Sequence, residues 1–405
     1  MSTGADSPAA ATDFDVIIVG GGPVGLLLAC LLKQQGMRLR VLERRAEPLA
    51  YSAAIGITPP SLQILDKLGI AAEFIARGVK VRDCLVHGQS GPLGCVSFRE
   101  IPDVHRFILS LPQVITVAIL QKHLGQEFLE AGCEVSGVRQ FADHCRVQAG
   151  ERTLTARFVV GCDGSRSRVR EGIGMRAPGH VYGCHFVMGD FIDRSNFGEE
   201  AHLFFTATGA VESFPLPGGQ RRWVVQVEAP LEPPRPGLIS ELIKQRTGLD
   251  IAATDQLSES PFTPRRHQCD RYYEGRIILC GDAAHGMSPI GGQGMNTGFA
   301  DAEFLAAILS QGDPLALLPA YDRFRRKAAQ AAIAHAEWGM WFGTWRGRAK
   351  SMLRDVLLKY LLCRGRISRY VSSFYAMLTI PFNTLERVPL ASLPLRRLRA
   401  EGGLL

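Results

Sequence analysis

The 405-residue sequence lacks several patterns that mark whole classes of protein. Its ten cysteines form no Cys-x-x-Cys pair, which argues against a disulfide framework and a zinc site. No stretch reaches the roughly 18 uninterrupted apolar residues of a spanning helix, and Met1 to Asp13 carries neither the basic start nor the apolar run of an export signal. With 46% hydrophobic and 21% charged residues, the chain is predicted to be a globular cytoplasmic protein.

Surplus positive charge is absent from most of the chain, although the formal net charge is +7. Residues 346–405 contain 12 Lys and Arg against 3 Asp and Glu, a surplus of nine, so the other residues together carry about −2. No helix-turn-helix cue, zinc finger or aromatic RNP-type segment accompanies this basic region. We therefore predict that the protein does not bind nucleic acid.

A glycine-rich loop near the start of the chain carries a strong local signal. An apolar β-branched run over residues 15–19 predicts a buried strand, and residues 26–35 predict a helix. Between them, Gly20 permits a tight turn, Gly22 lets the backbone approach a pyrophosphate, and Gly25 lets the helix pack on its strand. The next predicted strand ends at Glu43, where a carboxylate accepts hydrogen bonds from ribose hydroxyls. Together these features predict a dinucleotide site and not merely a glycine-rich turn.

A second glycine-rich segment distinguishes FAD from NAD. A predicted strand, Arg276 to Cys280, is followed by Gly281, Asp282 and a loop that leads into a predicted helix from about Thr297 to Leu309. A carboxylate at the end of a strand can hold a ribityl hydroxyl, and backbone N–H groups at a helix start can bind the N1/O2 edge of a flavin. The alternative is a purely structural loop.

A third segment, residues 156–170, reads as a strand, an Asp163-Gly164 turn and a basic helix start. From the residues alone, a simple turn with a helix cap explains Asp163 as well as a cofactor contact does.

These three motifs, in this order, resemble the group A FAD-dependent aromatic monooxygenases of the p-hydroxybenzoate hydroxylase fold, which are related to the ubiquinone-biosynthesis hydroxylases. The resemblance covers about residues 14 to 335. It implies FAD as cofactor, NADH or NADPH as transient reductant, and molecular oxygen activated as a flavin C4a-hydroperoxide. The implied FAD contacts are Gly20, Gly22, Pro23, Val24, Gly25, Glu43, Arg44, Gln121, Asp163, Gly164, Gly281, Asp282, Pro289, Gly292, Gly294, Met295 and Asn296. One departure is Ala53, which stands where the family usually has a cofactor-contacting Arg.

The predicted fold class is α/β, with a Rossmann-like FAD-binding domain, an inserted antiparallel-sheet substrate domain and a helical C-terminal extension. The predicted FAD-binding parts are residues 1–80, 111–180 and 269–337; the substrate domain is 81–110 and 181–268; the basic extension is 338–405. The sheet residues His185, Phe204, Phe214 and Trp223 are pocket candidates, although plain packing within the sheet is the favoured explanation for each of them.

The C-terminal extension has two interpretations. Leucines and basic residues alternate at helical spacing from Met352 to Leu362 after three tryptophans, Trp338, Trp341 and Trp345. Either the apolar face packs on the FAD domain as a lid, or the segment makes peripheral contact with a membrane and delivers a lipophilic substrate.

The predicted function is hydroxylation or epoxidation of an aromatic or electron-rich lipophilic small molecule. The alternative is a flavin-dependent reductase or cyclase acting on a prenyl or polyketide-type substrate; a halogenase is disfavoured because its Trp-x-Trp-x-Ile-Pro segment is missing. The sequence does not indicate which residue acts as catalytic acid or base, and His285 is interpreted as a loop-capping residue.

Overall fold

The computed structural model describes residues 12–47, 54–230, 235–363, 365–381 and 383, so Ala53 and the chain beyond residue 383 lie outside it. The strands are β1 (Phe14–Val19), β2 (Leu39–Glu43), β3 (Gly56–Ile57), β4 (Val79–Val81), β5 (Asp83–Gly88), β6 (Gly91–Ser97), β7 (Ile108–Ser110), β8 (Leu129–Ala131), β9 (Val135–Gln140), β10 (Cys145–Ala149), β11 (Arg152–Gly161), β12 (Gly179–Val181), β13 (His185–Ile192), β14 (Ala201–Thr206), β15 (Gly209–Leu216), β16 (Gln220–Val227), β17 (Ser260–Phe262), β18 (Arg265–Gln268), β19 (Tyr273–Glu274), β20 (Ile277–Leu279) and β21 (His285–Gly286). The helices are α1 (Pro23–Gln34), α2 (Pro59–Lys67), α3 (Ala71–Arg77), α4 (Gln113–Leu124), α5 (Arg168–Gly172), α6 (Leu238–Thr247), α7 (Gln293–Leu309), α8 (Leu318–Gly343), α9 (Arg348–Leu357) and α10 (Gly365–Tyr375), with a π-helical segment at Leu358–Leu362.

An eight-stranded sheet forms the first layer, in the order β19-β20-β11-β1-β2-β8, with β10 and β9 continuing from β11. β1 pairs in parallel with β2 and with β11. Val16, Ile17 and Ile18 are fully buried, as expected of a β-branched run in a parallel strand covered on both faces. The α1 helix packs against α4 and α7. It begins at Pro23, three residues earlier than predicted, because proline suits the first position of a helix.

A seven-stranded sheet forms the second layer, in the order β17-β13-β16-β15-β14-β5-β6. Its strands come from residues 83–97 and 185–262, and all its pairs are antiparallel except β14 with β5, which the prediction of an antiparallel sheet missed. The outer face buries Trp223 and Val225 against Ile239 of α6. The opposite face, here called the inner face, carries Leu203, Glu212, Phe214 and Val224 by strand alternation and register.

Two three-stranded sheets, β3-β7-β4 and β12-β18-β21, complete the strand topology. The first of them connects the layers, because the Ser110 hydroxyl at the end of β7 donates to the Pro215 carbonyl of β15 at 2.6 Å. The domain architecture is therefore α/β with a separate sheet, as predicted, while the exact domain limits remain a prediction.

Three helices follow the FAD-binding layers. The predicted limit at residue 338 falls inside α8, which continues without a break to Gly343. Met352 and Leu353 of α9 are exposed, while its buried side includes Arg354, whose guanidinium donates to the carbonyls of Thr206, Gly343 and Trp345.

The end of the extension packs differently from the exposed side of α9. Met377 and Ile380 lie in one apolar cluster with Ala328 and Ala332 of α8. The apolar contact that the lid interpretation expects is therefore made by this later segment and not by Met352 or Leu353.

Candidate active site

The first glycine-rich loop has the shape that the sequence predicts. Gly20 has a φ of +112°, and a Cβ there would lie 2.4 Å from the carbonyl oxygen of Cys162, so no other residue fits. A Cβ on Gly22, in contrast, would meet no atom within 4 Å. Gly22 therefore borders open space immediately before the uncapped N-terminus of α1, where N–H groups attract an anionic group.

The Glu43 carboxylate lies directly under this loop. One oxygen accepts a hydrogen bond from the backbone N–H of Gly21 at 2.7 Å, and the other accepts from the N–H of Arg45 at 3.0 Å. The adjacent Arg44 is exposed. Glu43 thus joins the end of β2 to the loop, which sets its position for a ribose contact.

The second glycine-rich segment packs against the first. A Cβ on Gly281 would lie 3.1 Å from Val24, so the two loops meet at these residues. The Asp282 side chain is exposed, and its carboxylate has no hydrogen-bond partner among the described residues. Desolvation by the surrounding protein raises its pKa above the ordinary value. A carboxylate in this position is available to a hydroxyl of a bound ligand.

The start of α7 contains most of the remaining predicted residues, which are Pro289, Gly292, Gly294, Met295 and Asn296. Gly292 occupies the N-cap in the left-handed region, and no side chain caps this helix end. Asn296 is 1% exposed and serves the protein itself: its Oδ1 accepts from the N–H of Thr58, and its Nδ2 donates to the carbonyls of Gly56 and Gly292. Its amide therefore clamps β3 to the loop, a role that the motif alone does not reveal.

A buried ionic cluster supports the Gly281 turn from below. The Asp301 carboxylate accepts hydrogen bonds from the Gly281 N–H at 3.1 Å, from His285 Nε2 at 2.6 Å and from Arg325 Nε at 2.6 Å. Burial alone would raise the pKa of Asp301, but its interactions with His285 and Arg325 lower the pKa below its ordinary value. Sequence reasoning missed Asp301 and Arg325; the only available signal was an acidic residue in the otherwise apolar stretch of α7.

His285 lies inside this cluster. All three side chains of the cluster are fully buried, and Nδ1 of His285 has no partner among the described residues. Its Nε2 lies 2.6 Å from the Asp301 carboxylate, which can only accept, so Nε2 is the donor of this hydrogen bond. His285 is thus a buried member of the Asp301 cluster and not simply a cap on an exposed loop.

A cavity of about 640 Å³ lies between α8 and the seven-stranded sheet. Its lining includes Tyr182, Cys184, Gln226, Met340, Trp341 and Trp345. Gln226 belongs to the inner face, since Val224 precedes it by two residues on β16. The volume is within the usual range for small-molecule sites.

Comparison with known proteins identifies the family. The family model for the FAD binding domain matches residues 13–336, so the chain belongs to this family. Rifampicin monooxygenase from Streptomyces venezuelae is 33% identical over 336 residues, which cover 79% of this chain and 70% of that protein. The structure of OxyS anhydrotetracycline hydroxylase from Streptomyces rimosus has a TM-score of 0.73 at 29% identity and covers 91% of this chain and 76% of that one. The chain is a FAD-dependent aromatic monooxygenase.

A second solved structure widens the range of chemistry among its relatives. The Diels-Alderase PyrE3 of pyrroindomycin biosynthesis has a TM-score of 0.76 at 28% identity, covering 89% of the monooxygenase and 80% of that chain. The fold is therefore shared with a protein named for ring formation.

The residues of the monooxygenase fit FAD at three points. Gly22 borders open space, the exposed Asp282 carboxylate has no hydrogen-bond partner within the described ranges, and the first turn of α7 lacks a side-chain cap. Pyrophosphate, ribityl hydroxyls and the flavin N1/O2 edge have the complementary chemistry. Individual FAD contacts remain predictions.

Two predicted contacts lie in other surroundings. Asp163 accepts hydrogen bonds from the Ser167 hydroxyl at 2.5 Å and from the Val169 N–H at 3.1 Å, so its carboxylate stabilises the start of α5. A cofactor contact would use the free side of this turn, where a Cβ on Gly164 would meet nothing within 4 Å.

Gln121 is not brought together with the other predicted residues. Lys33, near the C-terminal end of α1, bonds the carbonyl of Leu124, so the two helices run side by side and Gln121 lies at the end away from the Gly20 loop. Gln113, eight residues earlier and therefore about 12 Å along the helix, exchanges hydrogen bonds with Ala54 beside β3. Gln113 is the glutamine of α4 that lies next to the site.

Packing explains most of the sheet candidates. Trp223 is 1% exposed on the outer face against α6, and Phe204 stacks on His87. His185 makes a 2.8 Å hydrogen bond to the Thr263 hydroxyl. Phe214 alone of these four belongs to the inner face and remains a pocket candidate.

Proposed function

We propose that the monooxygenase consumes NADH or NADPH and hydroxylates or epoxidises an aromatic or electron-rich lipophilic small molecule. The observation that carries this proposal is the aromatic-lined cavity on the inner face of the seven-stranded sheet. The lining also contains the charged residues Glu337, Arg346 and Lys350. Its aromatic part, Trp341 and Trp345, favours a flat hydrophobic ring by burial of its surface.

The chain's own residues have three tasks in this reaction. Gly20 to Gly25 and Glu43 hold the ADP half of the cofactor, while Asp282 and the start of α7 fix the ribityl and flavin parts. FAD, when bound, supplies the activated oxygen atom. Phe214 and Val224 on the inner face exclude water and orient the substrate, which protects the reactive species from side reactions.

NAD(P)H-driven turnover of the purified FAD-loaded protein tests the proposal. We expect rapid anaerobic reduction of the flavin in the presence of a hydroxylated polycyclic aromatic, and one atom from ¹⁸O₂ in the product by mass spectrometry. Reduction without any ¹⁸O-labelled product across such a panel would contradict it.

A cyclase or reductase acting on a prenyl or polyketide-type substrate is the second candidate. The likeness to a Diels-Alderase favours the cyclase form, since both chains share most of their length. A cyclase consumes neither oxygen nor NAD(P)H, whereas a reductase consumes NAD(P)H without placing oxygen in the product. The labelled-oxygen experiment therefore separates all three activities.

We also propose peripheral contact with anionic lipid through α9 and the π-helical segment. No described helix is both long and apolar enough to cross a membrane. However, Met352, Leu353, Val356 and Tyr360 are between 48% and 73% exposed, close to the exposed Lys359. Co-sedimentation with phosphatidylserine vesicles should fall when Met352 and Leu353 are both replaced by serine; equal sedimentation would contradict this contact.

A further inference from the structure

Glu212 is a charged residue in an apolar part of the inner face. It lies in the middle of β15, directly opposite Leu203 of β14 and Val224 of β16. Ala210 and Phe214, two residues before and after it, belong to the same face. Among the residues that the structure describes, none makes a hydrogen bond or an ion pair with the Glu212 side chain, which is half-buried. An unpaired carboxyl in apolar surroundings is costly to ionise and is uncommon without a function.

The strand that carries Glu212 is tied to the flavin loop by a short chain of contacts. Pro215, three residues after Glu212, accepts the hydrogen bond from Ser110. Ser110 pairs with Gly56 across β7 and β3, and Asn296 joins Gly56 to Gly292 at the start of α7. The inner face at Glu212 is therefore held against the segments that would bind the flavin ring.

The α10 helix packs on the inner face near Glu212. The Tyr375 ring lies 3.9 Å from the position that a Cβ on Gly291 would occupy, so α10 reaches the flavin loop. Tyr375 is also packed against the apolar cluster that contains Phe205 and Ala210 of the inner face. Glu212 and Tyr375 are thus neighbours at the place where the sheet, α10 and the loop meet.

The surroundings of Glu212 bring the pKa of its carboxyl group close to neutral pH. Burial raises the pKa of Glu212 to about 7, and no cation in the described part of the chain opposes this effect. The titratable groups near enough to interact with it are the thiol of Cys84 on β5 and the phenol of Tyr375. Burial raises the pKa of both well above the neutral range, so both stay uncharged while Glu212 titrates. A base that ionises near the working pH is the most effective kind of proton acceptor.

We propose that Glu212 is the general base that accepts the proton of a phenolic or enolic hydroxyl on the substrate, an inference that rests on the monooxygenase function proposed above. The O–H bond breaks, the proton passes to a Glu212 oxygen, and the electron pair stays on the substrate oxygen. That pair delocalises onto the ring carbon that receives the oxygen atom. The C–H bond of this carbon then breaks, its proton passes to water as the ring becomes aromatic again, and the original substrate oxygen recovers a proton from Glu212. The substrate class is therefore a hydroxylated aromatic or enol.

The isosteric variant Glu212→Gln tests this assignment in the FAD-loaded protein. The probes are 1-naphthol and 1,8-dihydroxyanthraquinone, each paired with its methyl ether, and the readout is ¹⁸O-labelled product as a function of pH. For wild type, kcat/KM should rise through an ionisation near pH 7, and Glu212→Gln should lose that ionisation and about 10²- to 10⁴-fold in rate. Glu212→Asp should keep the ionisation with a smaller loss of rate. Glu228→Gln, at an exposed position just after β16, is the matched control and should retain the wild-type profile.

Each outcome bears on one proposal or on both. Equal pH profiles for wild type and Glu212→Gln, or oxygenation of the methyl ethers as fast as of the hydroxyl compounds, would overturn the role of Glu212 and leave the monooxygenase function intact. Failure of wild type to oxygenate any probe would overturn both. Equal FAD content of the variants, measured by flavin absorbance, shows that a loss of rate does not come from misfolding.

Discussion

Replacing Asp301 by asparagine would keep the shape of the side chain and remove its charge, which takes away the carboxylate that pairs with the buried Arg325 guanidinium. Both side chains are 0% exposed, and Arg325 Nε lies 2.6 Å from Asp301 Oδ1. Removal of one partner from a buried pair costs about 3 to 5 kcal/mol, because the other charge remains desolvated. Since a typical protein has about 5 to 15 kcal/mol in total, Asp301→Asn should lose a large part of the stability of the apoprotein.

Urea unfolding of the FAD-free variants, followed by circular dichroism, measures this loss. Asp250→Asn is the matched control, because Asp250 and Lys244 form an exposed pair whose side chains are 76% and 62% accessible. Such surface pairs contribute at most about 1 kcal/mol. The double variant Asp301→Asn with Arg325→Met should be less destabilised than the sum of the single changes, since it removes both charges.

An Asp301→Asn variant as stable as Asp250→Asn would refute this account of the cluster. So would a double variant that loses more than the two single variants together. In either case the Gly281 turn would have to be held by contacts other than the buried ion pair.

Three further predictions concern the same site. Gly22→Ala should leave the stability of the apoprotein nearly unchanged, while FAD retention after dialysis falls. Gly20→Ala should destabilise the apoprotein by about 1 to 3 kcal/mol, because its Cβ would collide with Cys162. A larger loss of stability for Gly22→Ala than for Gly20→Ala would contradict the loop geometry. Asp282→Asn should weaken FAD binding about 10- to 100-fold, the effect of a lost charged hydrogen bond, as measured by flavin fluorescence titration, and unchanged affinity would exclude the ribityl contact. Burial raises the pKa of Glu212 to about 7, so its stabilising protonated form is lost as pH rises through 7. The free energy of unfolding of wild type should therefore fall by about 1 to 3 kcal/mol relative to that of Glu212→Gln between about pH 5 and about pH 9. Parallel curves of stability against pH for the two proteins would contradict this.

Local patterns predicted the parts of the site that depend on local geometry. Gly20, Gly22 and Glu43 lie within one strand-loop-helix-strand unit, where spacing along the chain determines position in space. The same holds for Gly281 and Asp282 after β20. The family resemblance then supplied the fold, which the comparisons confirm.

Contacts between distant segments could not be predicted in this way. The Asn296 clamp depends on β3, which lies 240 residues earlier in the sequence, and so the hydrogen bonds of this side chain to the backbone could not be predicted from the motif. Gln121 lies away from the site because tertiary packing, and not the local sequence, sets the direction of α4 relative to α1. Likewise, the carbonyls of Trp345 and Thr206 bind Arg354 on the buried side of α9, which leaves an apolar side of that helix exposed. Helical periodicity in the sequence does not predict such backbone acceptors.

The Asn296 clamp also has a consequence for how the protein matures in the cell. Translation delivers the Gly20 loop and β3 long before α7, yet both Gly56 and Gly292 must be present before the clamp can close. Domains fold as their chain emerges, starting from the N-terminal end. The loop that the clamp joins to β3 is therefore expected to reach its final shape, and to bind FAD firmly, only after α7 has been synthesised.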